Sequence, residues 1–405
     1  MNAELITIGA ELLQGKTLNT NAQFLSQKIS SMNFKVTHHT VCDDDAEQIK
    51  KCLALAMSRS QLIIVTGGLG PTPDDVTREA ISDYFQSRLV FDSRQYRFIS
   101  KFFKKIGKRP SPITKRECFF PEAGRPILNQ YGIALGFYVK SRGRLVVCLP
   151  GVPREMIGLF NHHVGRIVLK FFGRQIHMHQ LDASLMGIDE AGAMRKFPKN
   201  FFANPHFSFG SYPMDGRLVF RFKSKDAKVI SNIKRVLKAN FLEYIYSFSD
   251  VGIEEVVGAL AQKRNKTIAL AESCTGGIVG KRITDIAGAS RFFLGSVVTY
   301  SNKAKENILG VSEDDLKKFG AVSNTVATQM ASKVRQLLNS NIGLSITGIA
   351  GPGGGSKEKP VGLVWIAISD AKKARAFRFQ FAGNRERIRR LASDRAFWLL
   401  YEELR

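Results

Sequence analysis

LIIVTGGLGPTPDDVTREAISDYF, residues Leu62–Phe85, decides the fold of the first half of the chain. Four apolar residues run into Thr66, a glycine-rich loop follows, and an apolar pattern of helical period begins after it. A short continuous apolar run bounded by a glycine turn reads as a strand buried on both faces. The spacing therefore predicts a strand over Leu62–Thr66 and a helix over Asp74–Phe85. Upstream, Leu5–Gly9 reads as a strand, Leu18–Ser31 as a helix, Phe34–Val41 as a strand and Ala46–Met57 as a helix. Downstream, strands are expected near Ile133–Val139 and Leu145–Leu149, the second ending in the turn LPGVP (Leu149–Pro153) before another helix. This βαβα order predicts an α/β domain over 1–171, a three-layer αβα arrangement around a mostly parallel sheet.

The pattern changes over 172–248, where QLDASLMGI and SYPMDGRLVFRF each read as a strand, flanking a short helix in a small α+β module. A third segment, 249–405, is again α/β. A helix at Ile253–Gln262 precedes strands at Thr267–Ala271 and Phe292–Thr299. A helix at Asn324–Leu338, strands at Gly343–Thr347 and Val361–Ile368, and a basic terminal helix complete it.

The chain of 405 residues is 44% hydrophobic and 23% charged, an ordinary globular balance. It contains no apolar run long enough to span a membrane. MNAELITIGAELL opens without a basic leader and reads as a strand. Its five cysteines are scattered with no CxxC pair, which points to reduced thiols in a cytoplasmic protein. The net charge of +25 is the most unusual bulk property and suits nucleic acid, anionic surfaces or phosphorylated small molecules. Between Ser93 and Arg116 lie nine Lys or Arg and no Asp or Glu, interleaved with aromatics. Tyr96, Phe98, Phe102 and Ile106 fall nearer helical spacing than a stacking ladder, so an amphipathic helix with a basic outer face is expected.

The loop after Thr66 is a candidate phosphate site. Gly67, Gly68 and Gly70 let backbone approach a ligand, Thr72 adds a hydroxyl, and the helix beyond offers free N–H groups. The loop lacks the Walker Gly-Lys-Ser/Thr, and its spacing is not GxGxxG. Asp74 and Asp75 either hold a divalent cation beside the phosphates or cap the helix. Glu11, just past a strand end, is placed in the same crevice, since ligands of open α/β sheets gather at the carboxyl ends of strands.

AESCTGG (Ala271–Gly277) follows the strand TIAL and enters a helix. Ser273 thus occupies a strand-to-helix turn, with Thr275, Gly276 and Gly277 supplying backbone N–H groups for an oxyanion and Cys274 as rival nucleophile. All seven histidines lie at or before His206, so this domain holds no imidazole of its own and no internal Ser-His-Asp triad. The remaining bases are Tyr300, Lys303 and Lys305 of TYSNKAK. A lysine serves as base only when burial or neighbouring cations depress its pKa; otherwise these are surface charges. TGIAGPGGG (Thr347–Gly355) offers the Thr347 hydroxyl and backbone from Gly348 onward, while Arg385, Arg387 and Arg389 open the last helix as phosphate forks or solvated charges. His177 and His179 would share a strand face, more as a surface pair than as a metal site.

The motifs GAELLQG, LNTNA, GGLGPTPDD, LPGVPREM, AESCTGG, TYSNKAKENILGVS, GAVS, TGIAGPGGG and KPVGLVWIA occur in that order along nearly the whole chain. At these residues the sequence closely resembles the CinA family of competence/damage-inducible proteins. The resemblance implies a first domain similar to molybdopterin-binding proteins, with ADP-ribose pyrophosphatase activity dependent on a divalent metal. It implies a KH-like middle module and a C-terminal nicotinamide mononucleotide deamidase domain needing no cofactor. The family's serine falls on Ser273, its lysine on Lys305, its assisting tyrosine on Tyr300 and its loop threonine on Thr347. The chain departs from the family at Asn19, where an aspartate is usual, at Leu135, where a proline is usual, and at Ala10, often polar. The expected partners are nucleotide substrates and a second copy in a homodimer, with no membrane. The alternative of another class is a non-catalytic protein that binds nucleic acid or a pterin cofactor.

Overall fold

The computed structural model describes residues 1–173, 178–214 and 216–405. His177 lies outside the described residues; His179 opens a strand. The chain forms two compact units, 1–177 and 178–405.

The first unit is built on β1 (Asn2–Ile8), β2 (Lys35–Cys42), β3 (Leu62–Thr66), a small ribbon of β4 (Leu89–Phe91) with β5 (Phe119–Pro121), and β6 (Gly124–Ile127), β7 (Gly136–Ser141) and β8 (Arg144–Leu149). Its main sheet has the order β2-β1-β3-β8-β7-β6, with the first four strands parallel and the last two pairings antiparallel. Side chains alternate across it, as strand geometry demands. Leu5, Ile64 and Val147 pack with Leu25 and Ile29 of the helix Thr20–Ser31, whereas Ile6, Ile63 and Val146 pack with Ile49 and Leu53 of the helix Ala46–Arg59 on the opposite face. The result is the expected three-layer α/β arrangement. The helix expected from Asp74 begins instead at Thr77. The basic stretch does form a helix, Ser93–Lys105, capped by Asp92 through the amides of Arg94 and Gln95.

The second unit contains two sheets. A four-stranded one, β10-β11-β9-β12, uses β9 (His179–Leu185), β10 (Ser208–Met214), β11 (Arg217–Ser224) and β12 (Ile245–Ser247). SYPMDGRLVFRF, read as one strand, is thus an antiparallel hairpin whose chain reverses near Gly216 at φ +83°. The helix Ala227–Phe241 follows it, and a phenylalanine-rich core with Phe197, Phe220, Phe222 and Phe241 lies beneath. The five-stranded sheet has the order β14-β13-β15-β16-β17, from β13 (Ile268–Glu272), β14 (Phe293–Val298), β15 (Ile342–Gly348), β16 (Leu363–Ser369) and β17 (Ala374–Gln380). β13 is parallel to both neighbours, and β16 and β17 add antiparallel pairs. The long helix Arg385–Leu404 packs against it through Ala392, Ala396 and Leu400. Among the described residues no helix is long and apolar enough to cross a membrane.

Candidate active site

β13 ends at Glu272, and the chain turns through Ser273–Gly277 into the helix Ile278–Thr284. The turn needs left-handed backbone at Gly276 (φ +60°) and Gly277 (φ +94°), which explains the glycine pair. Glu272 holds it from below. Its fully buried carboxylate accepts the amides of Gly277 (2.9 Å), Val279 (3.2 Å) and Gly280 (2.8 Å) and the Ser296 hydroxyl (3.1 Å). Arg389, from the terminal helix, holds it from the other side, donating to the carbonyls of Cys274 (3.0 Å) and Thr275 (2.7 Å). The Ser273 amide is anchored to the Ile346 carbonyl of β15 at 3.0 Å. Backbone and clamp together leave the Ser273 hydroxyl at the wall of a cavity of about 270 Å³.

Lys305 arrives from the helix Asn302–Leu309, capped by Ser301. Its ammonium nitrogen lies 3.0 Å from the Ser273 hydroxyl oxygen and donates to the Thr299 carbonyl at 2.8 Å. The side chain is 1% exposed, and that burial pulls its pKa from 10.5 down to about 8. Lys303, the other lysine of the motif, is exposed. Cys274 also lines the cavity, but burial pushes its thiol up to about 12, so it stays protonated and a poor nucleophile.

The same cavity is lined by Tyr300, Thr347, Gly348 and Arg385. Tyr300 stands at the rim. Its hydroxyl meets Arg385 at 2.9 Å, while only its main-chain carbonyl comes within 3.5 Å of the Lys305 nitrogen. Tyr300 thus belongs with Arg385, which also donates to the Gly351 carbonyl, rather than to the serine–lysine proton path. The Thr347 hydroxyl donates to Ala321 of the GAVS turn. Arg387 is exposed and does not line the cavity.

Thr275, Gly276 and Gly277, expected to bind substrate, do not line this cavity. The Gly276 and Gly277 amides are already committed to the Ser273 carbonyl and Glu272. Sequence reasoning missed Glu272, and it offered Arg389 as a phosphate fork or a solvated charge rather than as a clamp on the Cys274 and Thr275 carbonyls. Glu272 carried a readable signal, a carboxylate shortly before a helix N-terminus. Arg389 carried none, since its partners lie more than a hundred residues away.

In the first unit the glycine-rich loop serves its own fold. A side chain at Gly67 would meet the Ile8 carbonyl, and one at Gly68 the Thr77 hydroxyl. Buried Arg78 donates to the carbonyls of Leu69 and Gly70. The Asp75 carboxylate accepts from both the amide and the hydroxyl of Thr72, which turns the chain and delays the helix to Thr77. A cavity of about 260 Å³ does open at the strand ends, lined by Glu11, Asn19, Asn21 and Thr66, but Gly67, Gly68, Gly70, Thr72, Asp74 and Asp75 do not contribute to it. Asn19, which replaces the expected aspartate, caps the helix Thr20–Ser31 and donates to Thr7. Among the described residues no three His, Cys, Asp or Glu side chains are grouped to hold a metal ion, and Glu11 lines the strand-end cavity whereas Asp74 and Asp75 do not.

Fold and site define a class: an α/β protein of two units whose second unit sets a serine beside a buried lysine in a small cavity. The comparisons with known proteins are more particular. Residues 4–170 match the probable molybdopterin binding domain, and residues 250–404 match the CinA C-terminal domain. The chain is 40% identical over 402 residues to a competence-damage inducible protein of Caldanaerobacter subterraneus, covering 98% of this chain and 97% of that one. It is 38% identical over 395 residues to one of Clostridium acetobutylicum, covering 96% of each. A solved CinA structure from Thermoplasma acidophilum, described as of unknown function, is 35% identical with a TM-score of 0.38, covering 41% of this chain and 97% of that one. The chain belongs to the CinA family.

Proposed function

We propose that the second unit hydrolyses the carboxamide of nicotinamide mononucleotide to nicotinate mononucleotide and ammonia. The observation that carries this reading is the 3.0 Å contact between the Lys305 amine and the Ser273 hydroxyl, made by a lysine whose pKa burial lowers to about 8. A general base must sit within hydrogen-bond reach of the proton it takes and have a pKa near the working pH. Lys305 meets both conditions where imidazole is absent.

Neutral Lys305 removes the Ser273 proton as the oxygen attacks the carboxamide carbon. The amide following a nucleophile is the usual donor to the developing oxyanion, and Cys274 fills that position in the cavity wall. Lys305 then returns its proton to the departing nitrogen, and ammonia leaves an ester on Ser273. Water, deprotonated by the same amine, cleaves that ester to the carboxylate. The pyridinium charge of the substrate further disfavours protonated Lys305, reinforcing the effect of burial. Arg385, with Tyr300 at the rim, faces the end of the substrate that carries phosphate, where a guanidinium fork is suited to bind it. No metal or organic cofactor enters these steps.

A metal-dependent cleavage of ADP-ribose by the first unit has less in its support, since among the described residues no three His, Cys, Asp or Glu are grouped to hold a metal ion, so the reading rests on the second unit. Purified full chain should release ammonia from nicotinamide mononucleotide, and Ser273→Ala should abolish that release. Unchanged turnover in Ser273→Ala rejects the assignment.

A further inference from the structure

The basic stretch 93–116 has no role in the chemistry above. On the helix Ser93–Lys105, Arg97, Lys101 and Lys105 recur every four residues and so form one stripe. Phe98 and Phe102 form a second stripe beside it, extended by Ile106, and all three are exposed, Phe102 by 48%. Aromatic side chains left in solvent on a folded helix mark a contact surface when they are contiguous. Among the described residues the ion pairs of this stretch are Arg94 with Asp92 and Arg116 with Glu79, so Arg97, Lys101, Lys104, Lys105 and Lys108 face solvent without an acidic partner.

Two cavities flank the helix. One of about 230 Å³ lies between Phe98, Phe102 and Tyr131, with Gln130 and Arg154 as its polar lining. A second of about 350 Å³ is lined by Arg94, the partner of Asp92, together with His163 and Arg166. Arg94 and Phe98 are four residues apart, about 6 Å along the helix axis. The aromatic slot and the hollow lined by Arg94 and Arg166 therefore border this helix about one turn apart.

We propose that this face binds single-stranded nucleic acid, with phosphates along the lysine stripe and a base in the Phe98–Phe102–Tyr131 slot. Stacking on exposed aromatics beside a basic track is how such strands are held without sequence preference. An amide and a guanidinium inside the slot suit the polar edge of a base. They do not suit lipid chains, which an otherwise similar amphipathic basic helix would bury.

The test is fluorescence anisotropy of a labelled oligothymidylate of about twelve nucleotides with the full chain, between about 50 and 200 mM salt. Binding is expected with a log–log salt slope of about −3, for about four phosphates neutralised on a single strand. Phe98→Ala/Phe102→Ala should weaken binding about tenfold or more and leave the slope unchanged. Lys101→Glu/Lys105→Glu should weaken it and make the slope shallower by about 1.4. Phe102→Trp, which keeps a stacking face, should retain wild-type affinity, and melting temperatures serve as the control for folding. Absence of oligonucleotide binding, an aromatic double variant that binds like wild type, or retention on phosphatidylserine vesicles without oligonucleotide binding would each overturn the proposal.

Discussion

Replacing Lys305 by methionine should make the protein inactive yet more stable at neutral pH, and less stable at high pH. The unfolded chain protonates this amine with a pKa near 10.5, and the folded chain with one of about 8. Because the folded value is the lower one, the unfolded chain binds the extra proton between these limits, and stability rises with pH through that window. Below about pH 8 both states are charged, and the full cost of burying the ammonium is present. At 1.36 kcal/mol per pKa unit the gap amounts to about 3 kcal/mol. Methionine has similar length and no charge, so it removes that cost. It also removes the bonds to the Thr299 carbonyl and the Ser273 hydroxyl, worth about 1 kcal/mol each. The balance is a gain of about 1 kcal/mol at pH 7 that turns into a loss of about 2 kcal/mol near pH 10.5, where the amine is neutral. Urea denaturation of wild type and Lys305→Met at both pH values measures it. A variant equally destabilised at pH 7 and pH 10 would refute the claim that Lys305 is held in an environment hostile to its charge.

Three further outcomes follow from the same geometry. The specificity constant kcat/KM for ammonia release should climb about tenfold per pH unit and level off above about pH 8, as Lys305 becomes neutral; a flat profile from pH 6 to 9 would exclude it as the base. Cys274→Ala should keep activity within a few fold, because the protonated thiol takes no part, and should cost about 1 kcal/mol of packing by thermal melting. Glu272→Gln, which puts donors where a carboxylate accepts three amides and a hydroxyl, should cost about 2–3 kcal/mol and reduce turnover with the displaced serine. Native-like stability in that variant would show that the turn does not need its acid.

The strands that decide the fold were legible because burial on both faces writes itself as continuous apolar sequence. LIIV of β3 is such a run. Elements that failed to show carry weaker patterns. β10 and β11 read as one strand because the turn signal Asp215–Gly216 sits inside an otherwise strand-like stretch, although that dipeptide is itself a hairpin signal. β17, ARAFRFQ, mixes basic and apolar residues at a sheet edge and resembles a solvated segment. At the site, the lack of histidine left lysine as the base, but the choice between Lys303 and Lys305 depends on which helix face turns inward, and that needs the helix placed. The glycines carry a second meaning. In both turns glycine reads in sequence as room for a ligand, and in the structure Gly67 and Gly68 also make room for the fold's own backbone and side chains, while Gly276 and Gly277 donate to internal acceptors.

Acid-quenching a reaction with nicotinamide mononucleotide within its first turnovers, then digesting the protein and weighing its peptides, asks directly which atom attacks the amide. The nicotinoyl nucleotide should appear as an ester on Ser273, and none should form in Lys305→Met. An adduct on Cys274 instead, or ammonia release at full rate with Ser273 replaced by alanine, would contradict an amine-activated serine.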